Sequence, residues 1–351
     1  MTVSASERSG PAQVSERSGV PLIELQDLVV EYLIGERRVR AVDEISLTIM
    51  PGEIVGLAGE SGCGKSTAAH AIMRILHEPG EITGGRILFK GEDIVPLQKE
   101  ALRKYRWRNV SLVFQSAMNS LNPVMRVGNQ FVDMFKAHER ISRSDAMERA
   151  GDLLELVGID RRRVRAYPHE LSGGMRQRVV IAMALALHPE LLLMDEPTTA
   201  LDVVVQREIL QEIEKLQKQL GFAVLFITHD LSVLVEFADR IAIMYAGEIV
   251  ESAPSETLFR HPEHPYTLGL MSSFPPLTGK IERLTGIPGS PPSLSDPPNG
   301  CRFHPRCPYA DGKDPELYRL QTTVRPTLCP VAPEHLVACH LVEQRMAQEQ
   351  R

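Results

Sequence analysis

The sequence predicts an α/β fold with a largely parallel sheet, followed by a small cysteine-rich module. From about Leu22 to Met271, apolar strand-like runs alternate with helical patterns, which is typical of a parallel sheet covered by helices. After Phe274 the chain becomes rich in paired prolines, and four of the five cysteines lie between Cys301 and Cys339. A chain of 351 residues is long enough for one large domain and an appended module.

Four regions are expected along the chain. Residues 1–20 are rich in Ser, Glu, Arg and Gly, contain no apolar segment, and are expected to form a disordered tail. Residues 21–271 are expected to form the α/β domain, with a helical subdomain inserted at about residues 116–170. Residues 272–351 are interpreted as a proline-rich linker and the cysteine-rich module.

Charge and hydropathy limit the function classes. The net charge of −6 and the isoelectric point near 6.0 do not suggest a nucleic-acid partner, because such proteins usually carry a basic excess. No apolar stretch reaches the ~18 to 20 residues that cross a bilayer, so any service to a membrane is expected from one side. Without an export signal, the chain is expected in a reducing compartment where disulfides seldom persist.

Polar residues follow several of the predicted strands. In open α/β sheets, ligands bind beyond the carboxyl ends of the strands, so these residues should converge on one site. The strand-like runs and the residues that follow them are Ile54 to Ala58 before Gly59, Val110 to Phe114 before Gln115, Leu191 to Met194 before Asp195, and Ala223 to Ile227 before Thr228 and His229.

The loop from Gly59 to Ser66 has the form Gly-x4-Gly-Lys-Ser between a strand and a helix. Backbone N–H groups of such a loop wrap phosphate oxygens, aided by the positive N-terminus of the helix. Lys65 is expected to reach the β- and γ-phosphates of ATP, and the Ser66 hydroxyl to bind Mg²⁺. The expected nucleotide contacts in this segment are Gly59, Ser61, Gly62, Cys63, Gly64, Lys65, Ser66 and Thr67.

Two adjacent acids follow another predicted strand. Asp195 is expected to hold Mg²⁺ together with Ser66 and Gln115, and Glu196 to deprotonate the attacking water. Two carboxylates at a buried strand end would be costly without a cation, which argues against a purely structural role. Gln115 and His229 are expected to contact the attacking water or metal and the γ-phosphate, respectively.

Tyr32 lies before the strand of the glycine loop and is a candidate for stacking on adenine. A partly buried core tyrosine is the alternative interpretation.

Together these motifs resemble the ATP-binding subunits of ABC transporters over roughly Leu22 to Leu270. The resemblance rests on the Walker A loop at Gly59 to Ser66, the Q-loop Gln115, the signature Ser172-Gly173-Gly174 with Gln177, the Walker B pair Asp195 and Glu196, the D-loop Asp202 and the switch residue His229. The resemblance implies a P-loop ATPase in which two such domains pack head to tail. Ser172, Gly173, Gly174, Gln177 and Asp202 would then contribute to nucleotide binding across the interface.

The tail resembles the peptide/nickel uptake branch, that is, the dipeptide and oligopeptide permease ATPases. The residues concerned are His264-Pro265-Tyr266-Thr267-Leu268 and the segment from Cys301 to Pro308. This resemblance implies an ATPase that powers import of di- or oligopeptides, with nickel chelates or glycosides as alternative cargo. It further implies a second ABC ATPase subunit, in a heterodimer rather than a homodimer, two transmembrane permease subunits and an extracytoplasmic substrate-binding protein. The chain would be peripheral, on the cytoplasmic face of the inner (plasma) membrane.

Two other function classes remain as alternatives. A soluble ABC ATPase acting on nucleic acid or ribosomes would usually carry two motor domains or a long coiled coil, and neither is evident here. A non-catalytic regulatory subunit is disfavoured by the intact Glu196 and His229.

The four clustered cysteines are Cys301, Cys307, Cys329 and Cys339. Four thiolates suit an iron–sulfur cubane or tetrahedral zinc, although the zinc spacing Cys-x2-4-Cys is absent. The family resemblance implies a four-iron, four-sulfur cluster, with zinc and unliganded thiols or disulfides as alternatives. Replacement of Cys307 by serine is expected to loosen the tail and to leave ATP binding largely intact.

Overall fold

The computed structural model describes residues 19–115, 120–198, 202–272 and 286–349. Most of the predicted N-terminal tail, residues 116–119 of the predicted helical subdomain and residues 273–285 of the proline-rich linker therefore lie outside the described residues. Residues 199–201, which precede Asp202, lie outside them as well.

Strands and helices alternate along the described part of the chain. The strands are β1 (Ile23–Ile34), β2 (Arg37–Ile49), β3 (Ile54–Ala58), β4 (Gly80–Phe89), β5 (Glu92–Asp93), β6 (Val110–Val113), β7 (Leu191–Asp195), β8 (Ala223–Thr228), β9 (Arg240–Tyr245), β10 (Glu248–Pro254), β11 (Cys329–Ala332) and β12 (His335–Val337). The helices are α1 (Lys65–Met73), α2 (Lys99–Arg108), α3 (Val127–His138), α4 (Arg143–Leu156), α5 (Gly173–Leu185), α6 (Val203–Leu220), α7 (Leu231–Phe237), α8 (Ser255–Arg260), α9 (Pro265–Met271), α10 (Pro315–Thr323) and α11 (His340–Glu349).

The main sheet contains eight strands within the described residues, in the order β11-β12-β10-β9-β3-β8-β7-β6. Strands β9, β3, β8, β7 and β6 pair in parallel, whereas β10, β12 and β11 are added antiparallel to this core. Every residue of β3, β7 and β8 is buried, because helices cover both faces of a parallel sheet. The prediction of an α/β fold with a largely parallel sheet is confirmed.

A second sheet is antiparallel and has four strands among the described residues, in the order β2-β1-β4-β5. Apolar side chains of β1 and β2 pack in one cluster with those of helix α1 and of β3. This cluster lies behind the segment that connects β3 to α1. The antiparallel sheet thus supports the glycine loop from one side.

The region expected to be a helical subdomain contains α3 and α4 and, between residues 120 and 170, no strand within the described residues. Ser142 caps α4 by accepting a hydrogen bond from the Asp145 N–H at 3.1 Å. Phe131 and Phe135 of α3 are fully buried in the larger apolar cluster, which includes residues of α4 and α5. The exact domain boundaries proposed from the sequence stay predictions.

The C-terminal residues extend the main sheet. Strand β12 pairs with β10, with Val337 opposite Glu251 and Leu336 opposite Ser252, and β11 pairs with β12. The sequence had suggested a separate cysteine-rich module, whereas in the structure these strands belong to the main sheet. Over the described parts of the chain, none of the helices has both the length and the apolarity needed to span a bilayer.

Candidate nucleotide-binding site

The glycine loop connects β3, which ends at Ala58, to α1, which begins at Lys65. Gly64 precedes the helix with φ of 108°, in the left-handed region that favours glycine. A Cβ atom at Gly64 would lie 2.2 Å from the Ala41 carbonyl oxygen, and one at Gly59 would lie 2.1 Å from that of Met244. Both positions therefore require glycine. Among the described residues no side chain caps the helix, so its first N–H groups remain available to a ligand.

Lys65 is buried, with 4% of its surface exposed. Its ammonium group donates hydrogen bonds to the carbonyl oxygens of Gly59 at 2.7 Å and Glu60 at 2.9 Å. It also lies 3.7 Å from the Cys63 sulfur. The loop therefore encloses a positive charge beside the N-terminus of α1, which is an arrangement suited to phosphate.

Ser66 and Asp195 form the second part of the site. The Ser66 hydroxyl donates to Asp195 Oδ1 at 2.9 Å, although the two residues are far apart in sequence. Burial raises the pKa of the Asp195 carboxyl group, while the hydrogen bond from Ser66 opposes that rise. A divalent cation would stabilise the ionised carboxylate, and a hydroxyl with a carboxylate is a donor set that suits Mg²⁺.

Glu196 is held between two of the predicted site residues. Gln115 Nε2 donates to Glu196 Oε2 at 2.9 Å, and His229 Nδ1 lies 3.2 Å from Glu196 Oε1. The Glu196 backbone has φ of 44°, an uncommon conformation for a residue other than glycine. The side chain of Glu196 is 14% exposed and that of His229 is 61% exposed. The strand ends thus bring a carboxylate, an amide and an imidazole together at an accessible edge of the site.

The predicted signature residues lie at the N-terminus of α5. Ser172 is exposed and caps the helix by accepting from the Met175 N–H at 3.3 Å. Gly173 and Gly174 form its first turn, and a Cβ at Gly174 would approach Val205 of α6 to 2.9 Å. Gln177 is 1% exposed and packs inside the protein. Roles of all four residues in nucleotide binding stay predictions.

Two further predicted residues have local structural roles. Asp202 caps α6 by accepting from the N–H groups of Val204 and Val205 at 3.1 and 3.0 Å. Tyr32 lies in β1, packs against the apolar cluster beneath the antiparallel sheet and covers Gly80, whose Cβ would lie 2.7 Å from the ring. The placement of Tyr32 matches the alternative of a partly buried core tyrosine, and its contact with adenine stays a prediction.

Three residues that contact one another at the phosphate loop were not predicted as site residues, namely Glu60, Tyr266 and Arg306. The Glu60 N–H donates to the Tyr266 hydroxyl at 2.9 Å, and the Glu60 carboxylate pairs with Arg306. Tyr266 and Arg306 belong to the two tail segments that were used only for the family resemblance. The resemblance of those segments to a known family was the signal that they matter. Their sequence alone does not indicate that they contact Glu60.

The tail cysteines do not form a ready metal site. Burial raises the pKa of the Cys301 thiol to about 12 and that of Cys339 to about 11, and it also raises the pKa of Cys307. The Cys329 sulfur lies 3.7 Å from a carboxylate oxygen of Glu343. In the ranges that the structure describes, no group of three or more His, Cys, Asp or Glu side chains is arranged to hold a metal ion. As placed, these residues fit neither an iron–sulfur cluster nor zinc.

Comparison with known families agrees with this architecture. A family model described as ABC transporter matches residues 42–199, and one described as oligopeptide/dipeptide transporter, C-terminal region, matches residues 250–313. The chain belongs to the ABC transporter ATPase family, in the branch that carries this C-terminal region. It is therefore an ATPase that uses ATP with Mg²⁺.

Curated relatives match over most of their length. The oligopeptide transport ATP-binding protein OppD of Bacillus subtilis is 46% identical over 310 residues, which cover 86% of this chain and 87% of OppD. The dipeptide transport ATP-binding protein DppD of Caldanaerobacter subterraneus subsp. tengcongensis is 42% identical over 325 residues, which cover 92% of this chain and 98% of DppD.

Solved structures match the ATPase part. The dimeric structure of MJ0796, a bacterial ABC transporter cassette, has a TM-score of 0.59 and 31% identity, covering 66% of this chain and 98% of that one. CbiO1 of Clostridium perfringens, described as part of the ABC transporter complex CbiONQ, has a TM-score of 0.60 and 26% identity, covering 69% of this chain and 92% of that one.

Proposed function

We propose that this chain hydrolyses ATP to power the import of di- or oligopeptides through an ABC transporter. The observation that carries the peptide assignment is the match of residues 250–313 to the oligopeptide/dipeptide transporter C-terminal region. The names of OppD and DppD support the same cargo class, and the match covers 87% and 98% of these two relatives, respectively. No observation favours nickel chelates, glycosides or a soluble ABC ATPase.

The hydrolytic step follows from the groups around the loop. Lys65 and the N–H groups of α1 hold the β- and γ-phosphates, while Ser66, Asp195 and Gln115 would hold the cation. Mg²⁺, when bound, would withdraw charge from the phosphate oxygens. Glu196 takes a proton from water, the water oxygen attacks the γ-phosphorus, and the bond to the β-phosphate oxygen breaks to release ADP. His229 and Gln115 orient Glu196 and the water.

For transport, the chain would form a heterodimer with a second ABC ATPase subunit. Ser172, Gly173 and Gly174 of one subunit, at a helix N-terminus, face the γ-phosphate held by Lys65 of the other, with Gln177 and Asp202 beside them. The dimeric cassette among the structural relatives supports this pairing. Two transmembrane permease subunits and an extracytoplasmic binding protein complete the transporter, and this chain lies on the cytoplasmic face of the membrane.

The iron–sulfur cluster on Cys301, Cys307, Cys329 and Cys339 stays a prediction from the family resemblance. Assembly of the cluster would require these side chains to move from their positions in this structure, because no three of the described His, Cys, Asp or Glu side chains there are arranged to hold a metal ion. Iron and acid-labile sulfide analysis of anaerobically purified protein decides between the cluster, zinc and free thiols.

Peptide uptake tests the proposed function. Cells that lack this chain should lose uptake of a radiolabelled di- or oligopeptide, and the wild-type chain should restore it. Lys65→Ala should fail to restore uptake, because phosphate binding is lost. Lys90→Ala is the matched control, since Lys90 forms an exposed ion pair with Glu190 and should restore uptake fully. Normal peptide uptake in the deletion strain, with loss of another solute, would contradict the assignment.

A further inference from the structure

The phosphate loop is tied to the C-terminal region through one acidic residue. Glu60 directly follows the first loop glycine, and its carboxylate accepts two hydrogen bonds from Arg306, at 2.7 and 3.0 Å. Its N–H donates to the Tyr266 hydroxyl at 2.9 Å, and its carbonyl oxygen accepts from Lys65 at 2.9 Å. Glu60 therefore joins the phosphate-binding lysine to Tyr266 of α9 and to Arg306 of the tail.

Arg306 is fixed in place by its surroundings. Its side chain is 6% exposed, compared with 27% for that of Glu60. Besides Glu60, it donates to the Pro288 carbonyl oxygen at 2.9 Å and to the Tyr245 hydroxyl at 3.3 Å. A planar guanidinium that is held on several sides and binds a carboxylate through two nitrogens has little freedom to move.

The aromatic residues around this pair form a rigid support. The ring centroids of Tyr245 and Tyr266 are 4.6 Å apart, and Phe303 lies 5.2 and 5.5 Å from them, respectively. All three rings are almost fully buried. Tyr266 belongs to α9 and Phe303 to the tail, so the support includes residues from both sides of the linker.

The charge of Glu60 is unfavourable for ATP binding unless it is neutralised. The loop binds a polyanion, and a carboxylate of the same sign in that loop repels it. Arg306 supplies the opposite charge at hydrogen-bonding distance, from a segment 246 residues further along the chain. The tail thus contributes to the electrostatics of the phosphate loop.

We propose that Arg306 is a positioning residue for ATP binding, which neutralises Glu60 and, together with Tyr266, holds the phosphate loop in its binding conformation. The proposal rests on the assignment of the loop as the ATP site and does not depend on the identity of the cargo. It assigns to the C-terminal region a role in nucleotide affinity that the expectation of a separate tail did not include.

The test compares Arg306→Met with Glu60→Gln and with the double variant in the full chain assembled in its transporter. Arg306→Met should raise the KM for ATP about tenfold and change kcat less than about twofold, because the unneutralised Glu60 repels ATP. Glu60→Gln alone should change the KM less than about threefold. The double variant should return to within about threefold of wild type, because it lacks the repelling carboxylate.

Two further variants separate positioning from general destabilisation. Arg240→Met is the matched control, since Arg240 also binds a carboxylate through two nitrogens, that of Glu53 at 3.0 and 3.3 Å. Glu53 precedes β3 and so lies at the end of that strand opposite the phosphate loop. Arg240→Met should lower the melting temperature as Arg306→Met does, but leave the KM for ATP unchanged. Arg306→Lys keeps the charge without the two-nitrogen contact and should raise the KM less than Arg306→Met.

The inference is overturned if Arg306→Met leaves the KM for ATP at its wild-type value. It is also overturned if Arg240→Met raises the KM equally, or if the double variant stays as weak as Arg306→Met. Failure of the proposed function would be different, since the wild-type complex would then hydrolyse ATP without transporting peptide, or would not hydrolyse ATP at all.

Discussion

His264 is fully buried and remains neutral over most of the physiological pH range. Burial lowers the pKa of its imidazole to about 4, and the nearby Glu251 only partly opposes this shift. Its Nδ1 accepts a hydrogen bond from the Tyr266 N–H at 3.0 Å and so caps α9. The residue therefore supports the helix that supplies the Tyr266 hydroxyl to the phosphate loop.

His264 should make the protein sensitive to acid. Because its pKa is lower in the folded state than in the unfolded state, its contribution to stability is full above about pH 6.5 and is lost as the pH falls through about 4. The loss between pH 6.5 and 4.5 should be about 2 kcal/mol. His264→Asn, which keeps a capping acceptor, should show a smaller fall in melting temperature over this range than wild type.

The control for this experiment is His261→Asn, since His261 is exposed and lies three residues earlier. This variant should keep the wild-type dependence of melting temperature on pH. An unchanged dependence in His264→Asn would show that His264 does not cause the acid sensitivity.

At the scale of elements, two serines cap helices in the same way but lie in different surroundings. Ser172 caps α5 and Ser142 caps α4, each by accepting a backbone N–H three residues later. Ser172 belongs to the predicted signature, whereas Ser142 does not. The pair therefore separates the structural contribution of a cap from a contribution to ATP turnover.

Ser172→Ala and Ser142→Ala should each lower the free energy of unfolding by about 1 kcal/mol, the usual value of a cap. Ser172→Ala should in addition lower ATP turnover in the assembled transporter at least about tenfold, because a hydroxyl facing the γ-phosphate is lost. Phosphate release and thermal unfolding measure the two effects. Equal turnover in the two variants would remove Ser172 from the nucleotide site.

The elements differ in how well the sequence predicts them. The segment β3, glycine loop and α1 was predicted because each feature is local: a buried apolar run, glycines where a Cβ would collide with the backbone, and the helix after Lys65. The pairing of β12 with β10 was not predicted. A strand of three residues has too little periodicity, and its partner lies far away in the chain.

In the whole molecule, too, some contacts follow from general rules, whereas others depend on how distant parts of the chain fold together. The contacts of Glu196 with Gln115 and His229 follow from a general rule, since parallel strands end at one edge of a sheet. The contact of Glu60 with Arg306 depends on how the tail folds back, and no rule of spacing indicates it. The spacing of the cysteines likewise identifies thiols but does not determine what they bind.

In the molecule as a whole, ion pairs and shared strands join the tail to the ATPase domain. Arg302 pairs with Asp43 and Glu248, and Arg325 pairs with Glu44 and Glu248. Together with the added strands and the contact to Glu60, these ion pairs connect the C-terminal region to both sheets. A change in the tail should therefore reach the nucleotide site, whereas the sequence suggested that the two act separately.

ATP hydrolysis at the loop is proposed to need Glu196 as the base, and the turnover of Glu196→Gln tests this role most directly. Glutamine keeps the shape of the side chain but cannot take the proton from water. In the assembled transporter, the variant should bind ATP with a Kd within about threefold of wild type and release phosphate about 10² to 10⁴ times more slowly. Phosphate release at the wild-type rate would show that Glu196 is not the base and that this loop is not the hydrolytic site as described.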